Sequence, residues 1–368
     1  MKQRFVSHLI LAAALVAPLA CRDRFEEETY KPKPVEARKT SLLPVVFHVF
    51  YADENDATQK VPAERLKQVL NNVNKLYEGA FSGAETTDVM FGLVAQDASG
   101  QWRSSTNVNY VKVDKDDYPI DPYELMDDKT GKWKKHMWDP NKYVNVYVYH
   151  FKQVKTDAIT LGISHMAVSS RGNHELEGLQ VVAAKNLTKD NLPTPFCVSV
   201  NSLYVNNESN RYNDWPNLHG ISIDAFDFNV TLAHELGHYI GLFHTFGEEN
   251  SEPVDGLKDT DYCKDTPTYN KVAYDRFLVD YFRTHNTGNA RLDDVLKRTD
   301  SEGKTFVSSN IMDYAFTLGH AFTKNQTERM VHVLNYSPLI PETGRRTRAV
   351  KTRVAPKGIV DIKFVVVE

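Results

Sequence analysis

Hydrophobic positions recur along this chain with two different periods. Leu42 to Tyr51 is dense in Val and Phe and reads as a strand. From Pro62 to Gly79, Leu66, Val69, Leu70, Val73 and Leu76 fall three and four residues apart, the apolar stripe of an amphipathic helix. Val89 to Ala95 and Tyr143 to His150 read as further strands, and Leu161 to Val168 and Leu179 to Ala184 as short apolar segments. A helix between early strands begins an α/β layered fold rather than a barrel. Further helices are expected from Asp227 or Asn229, either a good N-cap, and from Thr323 to about Asn335. Arg345 to Arg353 carries four Arg and one Lys and is followed by the mostly apolar Ile359 to Val367. These read as a solvated linker and a terminal strand.

The first twenty residues differ in kind. Lys2 and Arg4 precede an apolar run from Phe5 to Ala20, broken only by Ser7, His8 and Pro18 and ending at Cys21. That is the pattern of a secretory signal, and it is too short for a membrane span, which needs ~20 apolar residues. Leu15 to Cys21 resembles a loose bacterial lipobox, with Pro18 as a departure. The resemblance implies cleavage before Cys21 and a lipid on its thiol; an ordinary secretory cleavage site is the alternative. Residues 22–40 are polar, with Glu26 to Glu28 and the Lys31-Pro-Lys-Pro34 run, and read as a tether. Acidic residues soon after a lipidated cysteine resemble surface-export signals of outer-membrane lipoproteins. The expected location is therefore the bacterial outer membrane, through a lipid anchor.

Composition adds limits. With 368 residues, 41% hydrophobic and 25% charged, the chain is long enough for a large core and two subdomains. A net charge of −4 gives no reason to invoke nucleic acid. Of three cysteines, lipidation of Cys21 leaves Cys197 and Cys263, either paired or free.

Residues 234–244 read His-Glu-Leu-Gly-His-Tyr-Ile-Gly-Leu-Phe-His. On a helix, His234 and His238 lie one above the other and present two imidazoles to one point. His244 would lie on another face if the helix continued, but Gly241 can take the positive φ that turns the chain back. His244 then becomes a third ligand. Three neutral imidazoles leave one tetrahedral Zn²⁺ position open, as in catalytic sites, and Glu235 is the expected general base. His48, His150, His165, His219 and His320 have no ligand spacing.

Downstream, Asn310-Ile311-Met312-Asp313-Tyr314 resembles the Met-turn of the metzincins, and specifically of their pappalysin-like branch. Leu42 to Tyr51 resembles that family's first strand, Thr231 to Ala233 and His244 to Gly247 its active-site flanks, Asp261 to Pro267 its acidic loop, and Phe322 to Met330 the start of its last helix. The resemblance spans about residues 42–336.

It implies an α/β (α+β) zincin fold. An upper subdomain to about residue 241 would hold a twisted mixed sheet with an antiparallel edge strand lining the cleft. A smaller, irregular lower subdomain would carry the Met-turn and the last helix. The expected organisation is signal peptide 1–20, lipidated cysteine and tether 21–41, catalytic domain 42–344 and basic linker with terminal strand 345–368. Met312 would form an apolar floor under the histidines, and Tyr314 would stabilise the oxyanion. Asp261, Asp265 and Thr266 would supply oxygens to a Ca²⁺ ion.

The family's cysteines after the His-Thr-Phe segment and beyond the Met-turn are absent, and residues 269–307 form a longer stretch than usual with its own helical pattern. The only cysteine near the N-terminus is Cys21, so silencing of the zinc by a prosegment cysteine is not expected. The expected activity is a monomeric, exported zinc endopeptidase acting on polypeptides that add themselves to the edge strand. The alternatives are a silent binding module on the same scaffold and a zinc amidase acting on cell-wall peptides.

Overall fold

The computed structural model describes residues 40–81, 83–94, 108–154, 158–172, 174–183, 187–212, 223–249, 252–285, 290–314, 316–341 and 361–367. The expected signal, Cys21, the tether up to residue 39, His219 and the whole basic run Arg345 to Arg353 lie outside the described residues.

Strand β1 (Ser41–Tyr51) is the longest of the sheet and is followed by helix α1 (Ala63–Tyr77). Strands β2 (Val89–Leu93) and β3 (Val108–Lys112) come next, then the short helix α2 (Pro122–Met126) and strand β4 (Val144–Tyr149). Then follow β5 (Gly162–His165), the parallel pair β6 (Val168–Ser170) and β7 (Gln180–Val182), and β8 (Val198–Asn201).

β2 and β3 pair in parallel with successive parts of β1, β4 pairs with its other side, and β8 with β4. β5 is antiparallel to β8. Both faces of this sheet are covered, so its strands are apolar on both sides. Leu43, Val45, Phe47 and Val49 join Val144, Val146 and Val148 in the main core, while Phe50, Tyr147 and Tyr149 turn into a second cluster on the opposite face. His48 is fully buried between Asn145 and Asn109 at 2.9 Å each. Burial holds it at about 3, so it stays neutral.

The motif helix α3 (Phe228–Tyr239) packs against α1, and the Tyr77 hydroxyl donates to the Ala233 carbonyl at 2.9 Å. Asp227 is its N-cap: one carboxylate oxygen accepts the N–H of Asn229 at 3.0 Å, and the other holds Ser209 N–H and the Tyr212 hydroxyl. The helix ends as the glycine demands. Gly241 sits at φ +95°, its N–H donates to His238 O at 2.9 Å, and Leu242 N–H to Gly237 O at 3.0 Å. These are the two bonds of a Schellman turn.

After the turn come the small hairpin β9 (Glu248–Glu249) with β10 (Glu252–Pro253), helices α4 (Lys271–Thr284) and α5 (Leu292–Val295), and the hairpin β11 (Lys297–Thr299) with β12 (Thr305–Val307). The long stretch 269–307 is thus built around its own core cluster, including Tyr269, Tyr274, Leu278 and Val295. Helix α6 (Lys324–Tyr336) follows, with Thr323 and Gln326 forming a capping box. Its Arg329 donates to the Gly241 carbonyl at 2.6 Å, so the last helix grips the turn that delivers His244.

Strand β13 (Phe364–Val367) pairs antiparallel with β5 and closes that end of the sheet. The antiparallel strand expected to line the cleft is present as β5, but its outer edge is covered. Of the two candidate segments, Leu161 to Val168 supplies it, while Leu179 to Ala184 contributes the separate strand β7.

The Gly241 turn yields a stability prediction. A Cβ there would approach Val333 Cγ2 to 2.6 Å at a backbone angle that L-residues avoid. Gly241→Ala is expected to lower the unfolding free energy by about 1–3 kcal/mol, read as a shift in the urea midpoint. Zinc affinity should fall with it, because His244 leaves that same turn.

Candidate active site

His234, His238 and His244 converge. Their Nε2 atoms lie 3.0 Å (234–238), 3.0 Å (238–244) and 3.1 Å (244–234) apart, and all three side chains are buried. Among the described residues they are the one group of three or more His, Cys, Asp or Glu arranged to hold a metal ion.

Each ring is anchored through its other nitrogen. His234 Nδ1 donates to Ile311 O at 2.7 Å, His238 Nδ1 to Leu242 O at 2.8 Å, and His244 Nδ1 to Glu248 Oε1 at 2.7 Å. These bonds place the proton on Nδ1 and leave the Nε2 lone pair facing inward. Burial, then the neighbouring imidazoles, hold His234 and His238 well below the usual histidine range. Three inward lone pairs fit a dication.

Glu235 completes the set. It is fully buried, and neither carboxylate oxygen has a hydrogen-bond partner among the described residues. Burial without a charged partner pushes it far above the usual carboxylate range. An unpartnered buried carboxylate is costly unless its site receives a cation or a hydrogen-bonding ligand. Gly162 of β5 passes directly over it: a Cβ at that position would collide with Glu235 Oε1.

The Met-turn lies where the sequence placed it. Met312 is fully buried, and a Cβ at Gly237 would meet its sulfur at 2.5 Å, so the glycine of the motif helix makes room for the methionine. Asn310 locks the turn: its Oδ1 accepts Met312 N–H at 2.9 Å and Gln326 Nε2 at 3.1 Å. The Tyr314 ring lies 4.4 Å from His244 and 5.9 Å from His234, centre to centre, and its hydroxyl donates to the Val366 carbonyl of β13.

Two supports were not foreseen from sequence. Glu248, four residues after His244, fixes the third imidazole; its only signal was a carboxylate at short range from a ligand histidine. Asp313 accepts from the Tyr269 hydroxyl at 2.5 Å and from the Ser308 hydroxyl, and lies 3.6 Å from Arg298 Nε. Arg298 in turn stacks 3.5 Å over the Tyr274 ring. The longer 269–307 stretch therefore buttresses the Met-turn from below.

The acidic loop is arranged differently from the histidines. Asp261 accepts from Cys263 N–H at 2.8 Å and the Thr266 hydroxyl at 2.6 Å, while Asp265 caps Asn325 N–H at 2.9 Å. Burial raises Asp261 to about 7. The three residues stitch the loop to the start of α6. Cys197 and Cys263 are both buried and unpaired, and burial pushes the Cys263 thiol up to about 12. His150, His165 and His320 lie outside the triad, His150 against Thr58 and His320 beside the Phe81 ring. A separate hollow of about 1240 Å³, lined by residues including Asp121, Trp133 and Phe364, contains none of the three ligands.

Residues 218–335 match the model of the M43 peptidase family, described as pregnancy-associated plasma protein-A. That match covers about a third of the chain, the part that carries the three histidines and Met312. No curated protein matches the chain. Among solved structures, the chain is similar to mature mirolysin of Tannerella forsythia in complex with a cleaved peptide. That match has 18% identity and a TM-score of 0.49, over 80% of this chain and 91% of that one. Mirolysin in complex with compound 9 matches at 18% identity over the same shares, with a TM-score of 0.47.

Two substitutions test the supports of the three histidines. Glu248→Ala is expected to weaken zinc binding about 10–100-fold, measured by competition with a chelator, with little change in the unfolding midpoint. Arg298→Met leaves Asp313 buried without its cation and is expected to cost about 3–5 kcal/mol; the double variant Arg298→Met with Asp313→Leu should recover part of that loss.

Proposed function

We propose that this chain is an exported zinc endopeptidase that hydrolyses peptide bonds in extended polypeptides. The observation that carries the reading is the unpartnered, buried Glu235 beside three imidazoles whose Nδ1 anchors aim their lone pairs at one point. A closed structural site has no use for a base at that spacing.

His234, His238 and His244 would hold a zinc ion, which when bound would supply Lewis acidity to a peptide carbonyl and to a water. Glu235 takes the proton from that water and passes it to the leaving amine. Neither of its oxygens has another hydrogen-bond partner among the described residues, which leaves the carboxylate to serve that water and then the amine. Tyr314, packed on His244, donates a hydrogen bond to the reacting carbonyl oxygen as negative charge grows there. Substrate backbone lies along β5, the antiparallel strand whose Gly162 brings the chain closest to the base.

The export reading rests on the sequence: a secretory signal ending in Cys21, whose lipid would hold the enzyme at the outer membrane with residues 22–40 as tether. Calcium at Asp261, Asp265 and Thr266 is a separate expectation, checked by whether added Ca²⁺ raises the unfolding midpoint of the zinc-loaded protein.

The activity is tested by digesting a denatured-protein peptide library with zinc-loaded protein lacking residues 1–21, beside Glu235→Ala and a chelated control. Cleavage should vanish on chelation and fall about 10²–10⁴-fold in Glu235→Ala, with cut sites read by mass spectrometry. A folded protein with one zinc per chain that cuts nothing, here and with its C-terminal strand unseated, would sink the peptidase reading.

A further inference from the structure

We propose that the C-terminal strand β13 is a built-in occupant of the substrate cleft, so that the intact chain is latent and substrate gains the cleft only when this strand leaves. The inference rests on the peptidase reading and adds to it a regulator and the track along which substrate lies.

The first ground is the pairing. β13 runs antiparallel to β5 in the register Phe364 with His165, Val365 with Ser164, Val366 with Ile163 and Val367 with Gly162. β5 would otherwise offer one free row of N–H and C=O groups, the surface onto which an extended peptide adds. Residues of this same chain occupy that row.

The second ground is where the strand ends. Val367 pairs with Gly162, the residue whose Cα lies against the Glu235 carboxylate. The backbone at Val366 and Val367 is therefore drawn to the catalytic base and not to a remote stretch of the edge.

The third is the direction of one carbonyl. Met166 N–H donates to Lys363 O at 3.0 Å, so residue 363 turns its backbone groups toward β5. In an antiparallel ladder this alternates: 365 and 367 face β5, while 364 and 366 face away. Val366 O accordingly points off the sheet, and it is this oxygen that accepts the Tyr314 hydroxyl. Tyr314 packs on His244 and His234, so the phenol proposed to hold a reacting carbonyl already holds one. A strand serving only to extend the sheet gains nothing from that contact.

Side chains seat the strand firmly. Ile362 and Val365 are buried in the main core, and Phe364 packs edge-on against His165 with ring centres 5.9 Å apart. Gln180 Nε2 donates to Asp361 O at 2.8 Å. The seat also indicates what a substrate brings: an extended segment with aliphatic side chains where Val365 and Val366 lie. In sequence, residues 342–360 separate this strand from the rest of the described chain, so it acts as a tethered peptide. A tethered segment competes at an effective concentration on the order of 1 mM.

The test uses the full chain loaded with zinc, with two variants that leave residues 41–340 unchanged. Val365→Pro removes an N–H that faces β5. Phe364→Asp changes a half-buried side chain and serves if the proline variant does not fold. Two readouts are taken: kcat/KM on a quenched fluorescent peptide library, and binding of a fluorescein-labelled Ile-Lys-Phe-Val-Val-Val peptide by anisotropy. The expected result is a rise in kcat/KM of about tenfold or more in the variants. The labelled peptide should bind the variants with a Kd of about 0.1 mM or tighter, the affinity at which a copy tethered at ~1 mM keeps the cleft about nine-tenths occupied, while the unaltered chain binds it about tenfold more weakly. Equal cleavage by variant and unaltered chain, or equal binding of the peptide to both, overturns the proposal and leaves the peptidase reading intact. Variants that bind the peptide yet cleave nothing uphold occupancy of the cleft and overturn the peptidase reading instead.

Discussion

Three imidazole nitrogens about 3 Å apart, each with its lone pair turned inward, form an arrangement that protein alone disfavours. The repulsion is tolerated because each ring is held from behind, by Ile311 O, Leu242 O and Glu248. Those three anchors come from three places: the Met-turn, the Schellman turn and the start of the small hairpin. Much of what surrounds the site can be understood as fixing one of these anchors. Arg329 holds the turn that carries Leu242, Asn310 and Gln326 hold the Met-turn, and Thr260 accepts no less a task in bonding Glu248 N–H at 3.0 Å. The metal centre is thus the point at which distant loops are made to agree.

That dependence explains why glycine appears at each close approach. Gly237 leaves space for the Met312 sulfur, Gly241 reverses the chain under Val333, and Gly162 lets β5 cross the Glu235 carboxylate. A methyl group at any of the three would push apart elements whose separation sets the ligand geometry. The lower half adds weight from below. Its own aromatic cluster, together with Arg298, holds Asp313 in a buried ion pair, and Asp313 is the residue between Met312 and Tyr314. Such a pair adds little net stability over an apolar equivalent, but breaking it is expensive, so its value lies in fixing one position for the turn.

The sequence was most legible where a single constraint acts over short range. Helical spacing located α1 within two residues of its ends, and the ligand spacing with Gly241 foretold the turn that returns His244. Asp227 as N-cap and Thr323 before the last helix were equally local. What escaped was long-range or weakly patterned. β3 and β8 are short, and their apolar residues count only once β1 and β4 lie beside them. Glu248 looks like any surface acid until His244 is known to need a partner. The acidic loop was legible by composition alone: the oxygens of Asp261, Asp265 and Thr266 could be read from the sequence, but not the hydrogen bonds they make within the loop and to α6.

The terminal strand shows best how one physical rule can serve two ends. Its apolar residues were legible as a strand, but not its partner, because pairing across the whole chain leaves no local trace. An exposed sheet edge invites association, and folded proteins generally cover such edges. A peptidase that binds extended substrate needs the same edge open. Covering it with a tethered segment of the chain itself meets both demands at different times, since the edge is protected while the segment stays and available once it goes. The cost is paid in competition: every substrate must exceed a local concentration set by the tether, and tight side-chain seating of Ile362 and Val365 raises that threshold further. Val366, one residue from the end of the strand, accepts from Tyr314, which packs on His244 and His234, so on the proposed reading the cover lies at the three histidines as well as along the edge.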